Sequence, residues 1–334
     1  MLEKNRVQQL DIPSRKGYDA IFNSNFLEDI PAALSQWGSS RVLLVASKAL
    51  AANSSHISAL QSALGPTLAD TKLGVGSHSP YADVRDIAQR IQRHRADCVI
   101  SVGSCSYSDA CKIGCLLAAN FDPAASFDEA DMEALVDRER GIADRRADGT
   151  ALRRRACRLV TVPTSLSASE WNALSSATNA QGKKQHFGGW DDGGQPDLIL
   201  LDPELAATSP ERLWLSSGLG AVANVMHGIT SCIMLAPVLR WQAANLSNPH
   251  YKATQAKILD IFNETLSWQE TSGADAVERF VKSLGLPTTL RDVGVVSDEE
   301  VRRIADKTMT DVWGGGKRQM EFEDVMEVLN SVRG

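Results

Sequence analysis

The chain has 334 residues, of which 43% are hydrophobic and 23% charged, a composition typical of a globular protein large enough for two domains. A net charge of −6 argues against binding to nucleic acid or to an anionic membrane surface. The six cysteines lack the paired spacing of a zinc site, and the first ten residues are too polar for a secretory signal. These features predict a cytoplasmic protein with a small-molecule substrate.

The order of apolar patterns predicts an α/β region followed by an all-helical region. Up to about residue 205, continuous apolar runs typical of buried parallel strands alternate with helical spacing, which predicts a doubly wound parallel sheet. After Pro210 only helical patterns remain. Within the α/β region, 124–156 is dense in charge, which favours a solvated helix and a mobile loop over a lid. The predicted strands are 41–47, 96–103, 157–164 and 196–203; the predicted helices are 54–64, 82–94, 211–240, 251–268, 274–284, 297–308 and 321–332.

Two polar loops follow predicted strands. GSCSYSDACK (103–112) joins a strand to a helix, and the N-terminus of such a helix is an anion site. Gly103 permits the tight turn, Ser106 is a candidate helix cap, and Asp109 is a candidate contact to a ribose or to the helix end. TVPTSLSASEW (161–171) brings a run of hydroxyls to the carboxyl end of another strand, where α/β sheets bind ligands. An ordinary strand–helix turn explains the first loop better than phosphate binding does, and ordinary turn and cap residues explain the second loop as well as ligand binding does.

Three spaced segments carry a family resemblance: GSCSYSDACK, VPTSLSASEW followed by Lys183 or Lys184, and LILLDPEL followed by PERLWLSSGLGAVANVMHG. Together with HSP (78–80) and GLPTTLRDVGV (285–295), they resemble the iron-containing alcohol dehydrogenase superfamily, most closely its maleylacetate reductase-like branch. The resemblance implies a dinucleotide-binding α/β domain over 1–207, a shortened all-α domain over 208–334 and a cleft between them. It also implies a homodimer that uses NAD(P), in most members with a divalent metal.

The chain departs from the family in its cofactor loop. Three family glycines and a serine align with Gly103, Ser104, Cys105 and Ser106, so two side chains stand where bare backbone should approach a diphosphate. Cofactor binding is therefore expected to be weakened, and NAD(P) stays an open possibility. The cofactor-binding candidates are Gly103, Ser104, Ser106, Asp109, Thr161, Thr164 and Ser165.

The family's metal ligands are also missing. Gly220 and Asn224 align with an aspartate and a histidine that share a helix face in the family, and glycine has no ligand atom. Only His250 stands in the segment that should carry two further histidines. The sequence therefore predicts no metal and the loss of metal-dependent alcohol oxidation.

A polar stripe marks the same predicted helix. Gly220, Asn224, His227 and Ser231 fall within about 60° of one another at helical spacing. No charge occurs from Leu213 to Leu239, so the stripe is predicted to line a cavity. His227 is then the candidate acid or base and Asn224 a hydrogen-bond donor, unless His227 is an ordinary core histidine. The catalytic candidates are His227, Asn224, Ser231, Glu170, Lys184 and His186; Trp171 and Trp190 are candidates for stacking on a substrate or for core packing.

Three functional hypotheses follow from these residues. The first is a metal-independent, non-redox enzyme that catalyses an isomerisation, cyclisation or elimination, since that chemistry needs only shape, hydrogen-bond donors and one acid–base group. The second is an NAD(P)H-dependent reductase of the maleylacetate type that works without metal. The third is a non-catalytic protein that binds a partner or scaffolds a complex.

Overall fold

The computed structural model describes residues 4–8, 17–136, 142–143, 149–188, 194–210, 214, 217, 228–247, 249–310 and 320–334. These residues form two units, Met1–Pro210 and Glu211–Gly334. The N-terminal unit is α/β and the C-terminal unit is helical.

Two sheets organise the N-terminal unit. The strands are β1 Asn5–Val7, β2 Ala20–Phe22, β3 Val42–Ala46, β4 Leu68–Leu73, β5 Cys98–Gly103, β6 Ile142–Ala143, β7 Arg158–Pro163, β8 Ser175–Thr178, β9 Lys184–Phe187 and β10 Leu198–Leu201. The large sheet has the order β1-β2-β10-β7-β5-β3-β4, and within it only β1 pairs antiparallel. The small sheet has the order β6-β9-β8.

Helices cover both faces of the large sheet. The helices of this unit are α1 Phe26–Trp37, α2 Lys48–Asn53, α3 His56–Leu64, α4 Tyr81–His94, α5 Cys105–Asn120, α6 Glu129–Ala134 and α7 Pro203–Ala206. Alternate residues of β3 belong to different cores: Leu43 packs with α4 and α5, and Leu44 packs with α1 and α3. Because both faces are buried, β3 reads as the unbroken apolar run VLLVA. The predicted doubly wound sheet is confirmed.

The four predicted strands match β3, β5, β7 and β10, whereas the sequence does not predict β1, β2, β4, β6, β8 and β9. Strand β4 has the polar sequence LADTKL because it lies at the sheet edge and pairs only with β3. A half-covered edge strand lacks the apolar run that identifies a buried one.

The charged stretch 124–156 is exposed at most of its described positions, as a solvated helix and loop predict, and its apolar side chains also contribute to the core. Phe127, Met132, Ala143 and Leu152 all pack in the same buried cluster as α4 and α5. The stretch folds in part because Asp128 accepts hydrogen bonds from two backbone amides and caps α6.

The chain order of the strands reverses its direction of winding between β3 and β5. From β3 the chain moves outward to β4 and then crosses back to β5 on the other side of β3. Where the winding reverses in this way, neighbouring loops turn in opposite directions and leave a crevice, which is the usual ligand site in α/β sheets. A ligand site is therefore expected at the residues that follow β3 and β5.

The C-terminal unit is helical throughout its described residues. Its helices are α8 Gly228–Asn245, α9 Pro249–Leu266, α10 Gly273–Ser283, α11 Asp298–Thr310 and α12 Phe322–Ser331. Helix α8 is central: Cys232 and Leu235 pack with α9 and α10, and Ile233 packs with α11 and α12. Coverage on two sides explains why the described end of the charge-free run, 232–239, has no charged face. Among the helices described, none is both long and apolar enough to cross a membrane.

Candidate functional site

The N-terminus of α5 lies directly after β5, at the winding reversal. Ser104 is the N-cap residue, with extended backbone and no side-chain capping bond. The prediction that Ser106 caps the helix is wrong, because Ser106 lies inside the first turn and its Oγ accepts the backbone N–H of His78 at 3.2 Å. Gly103 is required by packing, since a Cβ there would come within 2.5 Å of the Tyr107 ring.

Cys105 is the first residue of α5, and its thiol lies near Ser167 of the loop that follows β7. Burial, and next the nearby Asp109 carboxylate, raise the pKa of this thiol. The sulfur is therefore protonated and neutral at pH 7.

Lys112 holds the loop that follows β7. Its ammonium group is buried and donates to the backbone oxygens of Ser169, Asn172 and Leu174 at 2.6, 3.3 and 2.9 Å. Its nitrogen also lies 3.3 Å from Oδ1 of Asp109, and Oδ2 of the same carboxylate accepts the N–H of Ser176. Asp109 is thus part of an internal ion pair, and its contact with a ribose stays a prediction.

Among the residues that the structure describes, Glu170 has a carboxyl suited to proton transfer near neutral pH. It lies in a short 3₁₀ turn, Ser169–Trp171, and only 3% of the residue is exposed. Burial raises the pKa of its carboxyl to about 7, with Lys112 lowering the value and Asp109 raising it. Such a group exchanges a proton readily at physiological pH, as a general acid or base must.

The hydroxyl-rich loop lies against the same turn. Thr164 donates its N–H to Gly103 O at 2.9 Å, which ties the loop to the end of β5. The hydroxyls of Ser165 and Ser167 are 3.2 Å apart and hydrogen-bonded. Thr161 is buried within β7, and its proposed contact with a cofactor stays a prediction.

A strained segment covers the first turn of α5. His78 and Ser79 both have positive φ, 63° and 51°, and the Ser79 hydroxyl donates to Ser106 O at 2.9 Å. Non-glycine residues in this conformation cost about 1–3 kcal/mol each and are concentrated at functional sites. Burial, followed by the positive charge of Lys184, lowers the pKa of His78. Lys184, a predicted catalytic residue on β9, therefore lies close to His78.

The remaining predicted residues are spread more widely. Trp171 stacks on Phe22 with ring centres 6.3 Å apart, which is a packing contact. His186 lies on β9, half-buried. Trp190, Asn224 and His227 lie outside the described residues, and Ser231 lies in α8 with its side chain outside them. Their roles stay predictions.

Sequence reasoning did not select Cys105 or His78 as site residues, and it identified Lys112 only as a retained residue of the family's cofactor loop. One signal was present for Lys112, the only charged residue in the otherwise small and apolar segment ACKIGCLLAA. A lone lysine in a buried helix needs partners for its charge, and here they are backbone oxygens.

Family comparison places the chain in a class of oxidoreductase folds. A model of the iron-containing alcohol dehydrogenase family matches residues 18–203, and a model of the C-terminal domain of that family matches residues 214–332. The chain belongs to the iron-containing alcohol dehydrogenase family, as its sequence motifs predicted.

Two curated fungal relatives are dehydrogenases by name. Dehydrogenase ALT3 of Alternaria alternata is 33% identical over 195 residues, which cover 58% of this chain and 47% of the relative. Dehydrogenase FUM7 of Gibberella moniliformis is 30% identical over 192 residues, which cover 57% and 44%. The chain thus spans slightly less than half the length of these curated relatives.

Solved structures share the fold over nearly the whole chain. NADH-dependent butanol dehydrogenase A of Thermotoga maritima has a TM-score of 0.71 and 14% identity, covering 95% of this chain and 97% of its own. Maleylacetate reductase of Agrobacterium tumefaciens has a TM-score of 0.61 and 16% identity, covering 98% and 99%. At such low identity the likeness establishes the fold alone.

The residues present do not fit the groups that the family resemblance implies. A dinucleotide diphosphate would use the N–H groups at the start of α5, where Ser104 and Cys105 carry side chains in place of the glycines that the family resemblance implies. The two aligned metal positions hold Gly220 and Asn224, which lie outside the described residues and lack a carboxylate or an imidazole. The site is therefore best understood through its own side chains.

Proposed function

We propose that this chain is a metal-independent, non-redox enzyme that isomerises, cyclises or eliminates a small organic substrate by acid–base and hydrogen-bond catalysis. The observation that carries the proposal is the Glu170 carboxyl, buried in the loop after β7 with a pKa of about 7. An exposed glutamate is almost fully ionised at pH 7 and is a weak base. With a pKa of about 7, the protonated and ionised forms of Glu170 are both populated at pH 7, so its carboxyl can take up and return a proton.

The groups around Glu170 support proton transfer next to a carbonyl. The carboxylate form removes a proton from the carbon beside the carbonyl, and the C–H electron pair forms a C=C bond as charge moves to the carbonyl oxygen. In the proposed reaction that oxygen accepts from the hydroxyls of Ser165 and Ser167, which bond to each other in the same loop as Glu170. Return of the proton to another carbon gives an isomer, and loss of a group from the next carbon gives elimination. No electrons leave or enter the substrate.

Hydrogen exchange tests the proposal without knowledge of the natural substrate. The protein is incubated in D₂O with 2-oxoglutarate, levulinate or dihydroxyacetone, and proton NMR follows the hydrogens beside each carbonyl. We expect exchange faster than in buffer with at least one probe, and a decrease of about 100-fold or more in Glu170→Gln. The matched control is Glu28→Gln, because the Glu28 side chain is 71% exposed. Exchange at the buffer rate with all three probes contradicts the proposal.

The second candidate function is an NAD(P)H-dependent reductase of the maleylacetate type. The dehydrogenase names of ALT3 and FUM7 favour it, as does the position of α5 at the winding reversal of the sheet. It predicts that NADH or NADPH loses its absorbance when maleylacetate is added. A chain that catalyses neither reaction and binds a protein partner would instead support a scaffold role.

The proposal also includes a homodimer in the cytoplasm, which rests on the family resemblance. Light scattering coupled to size-exclusion chromatography would give twice the mass of the 36.1 kDa chain. A monomer over the whole concentration range contradicts this part of the proposal alone.

A further inference from the structure

The loop after β7 brings a buried lysine and a buried glutamic acid together. The ammonium nitrogen of Lys112 lies 2.6 Å from the backbone oxygen of Ser169, the residue directly before Glu170. Both residues are hidden from solvent, with 5% of Lys112 and 3% of Glu170 exposed. A buried ammonium next to a buried carboxyl normally forms an ion pair with it, because each charge needs compensation away from water. In this structure the pairing is different.

Lys112 is paired with Asp109 instead. Its nitrogen lies 3.3 Å from Oδ1 of Asp109, one helical turn earlier on α5, and among the described residues no other carboxylate forms an ion pair with it. An ammonium group has three hydrogens, and Lys112 donates to three backbone oxygens of the loop. No hydrogen of the ammonium is left for Glu170.

Asp109 is held in place for this role. Only 7% of the residue is exposed, and Oδ2 of its carboxylate accepts the N–H of Ser176 at 3.3 Å. Oδ1 is buried and accepts no hydrogen bond, so its contact with the ammonium is one of charge. Either charge would be costly to bury without the other.

The other groups around the Glu170 turn are uncharged. Trp171 packs with apolar side chains of the large sheet, namely Val7, Ala20, Ile199 and Leu201. The thiol of Cys105 on α5 is neutral, because burial raises its pKa. After the larger effect of burial, the pKa of the Glu170 carboxyl is lowered by Lys112 and raised by Asp109.

We infer that Asp109 is a positioning residue for Glu170: it is the counter-ion of Lys112, and it thereby leaves the Glu170 carboxyl without a cation among the described residues. Without Asp109, Glu170 would be the carboxyl available to neutralise the ammonium. A glutamate held ionised in that pair could not return a proton near pH 7. The inference rests on the proposed function for its purpose, and it adds the residue that keeps the acid–base group available.

Carbon-13 NMR of the full chain tests the inference by following the Glu170 carboxyl carbon from pH 4 to 9, with Glu170→Gln to assign the signal. For the wild type we expect a midpoint of about 7. Asp109→Asn keeps the shape of the side chain and should lower the midpoint by about one pH unit or more. Lys112→Met should raise it by about half a unit or more. Asp29→Asn on α1 removes another buried carboxylate paired with a lysine and is the matched control, with no shift expected.

The opposite directions of the two shifts separate the effect of charge from a loosening of the loop. If the substitutions only let water reach Glu170, both would lower the midpoint towards the ordinary value of 4.5. A lower midpoint in both variants therefore overturns the inference. So does a folded Asp109→Asn protein whose midpoint rises or moves by less than about 0.3 units.

Thermal melting shows which variants are folded. If one single variant is unfolded, the other decides together with the double variant Asp109→Asn/Lys112→Met, which buries no lone charge. Its midpoint should lie within about half a unit of the wild type, and a larger shift overturns the inference. Midpoints that move as expected, with hydrogen exchange at the buffer rate for all probes, leave the counter-ion role in place and contradict only the proposed function.

Discussion

Glu170 should make the stability of the protein depend on pH in a defined direction. Its pKa is raised from 4.5 to about 7 in the folded chain. Below pH 4.5 the carboxyl is neutral in both the folded and the unfolded state, so its burial costs no ionisation energy. Between pH 4.5 and 7 the unfolded chain loses the proton while the folded chain keeps it, and the free energy of unfolding falls. A pKa shift of this size corresponds to about 3 kcal/mol of unfolding free energy, and this contribution is fully lost above pH 7.

The substitution that isolates this effect is Glu170→Gln, which keeps the shape of the side chain and cannot ionise. Urea unfolding followed by circular dichroism, for wild type and variant at pH 4 to 8, gives the difference in unfolding free energy at each pH. We expect that difference to move by about 3 kcal/mol in favour of the variant across the range. Glu28→Gln, an exposed carboxyl, should show almost no movement.

A change below about 1 kcal/mol, or a movement in favour of the wild type as pH rises, would refute the reasoning. Either result would mean that Glu170 is ionised in the folded chain at pH 5 to 6. The acid–base role would then lose its main support, whatever the stability of the loop.

Three further substitutions test contacts around the site and the sheet. Lys112→Met removes a buried ammonium from three backbone oxygens and Asp109, and should lower the free energy of unfolding in urea by about 3–5 kcal/mol. Lys183→Met, at an exposed lysine, is the control and should leave that free energy almost unchanged. Gly103→Ala pushes a methyl group into the Tyr107 ring and should cost about 1–3 kcal/mol, with a smaller cost when Tyr107→Ala is already present. Asp202→Ala removes the acceptor for the N–H groups of Phe26, Glu204 and Leu205, and should lower the free energy of unfolding by about 2–3 kcal/mol. Losses below about 0.5 kcal/mol would contradict the assigned contacts.

The sequence predicts the centre of the fold better than its edges. Strands β3, β5, β7 and β10 are apolar throughout because helices cover both of their faces, and each gives a continuous signal. Strand β4 and the small sheet have polar or short sequences, and their pairing depends on neighbours far along the chain. Local patterns do not contain that information.

The site is predicted less completely, for a different reason. Glu170 could be selected from its position in a hydroxyl-rich loop, but its pKa depends on burial that only the folded chain creates. Lys112 acts through backbone groups, on residues that lie 57–62 positions away in the chain. Main-chain atoms are the same for every residue type, so such contacts leave no trace in the partner's sequence.

The hydrogen bonds from Lys112 to main-chain oxygens also affect which substitutions the loop after β7 can accept. Because the ammonium binds Ser169, Asn172 and Leu174 through their carbonyls, it sets the shape of the loop without specifying its side chains. Substitutions at these three positions can therefore accumulate while the turn that carries Glu170 keeps its geometry. One buried charge in the helix thus leaves the neighbouring surface free to acquire a new substrate preference.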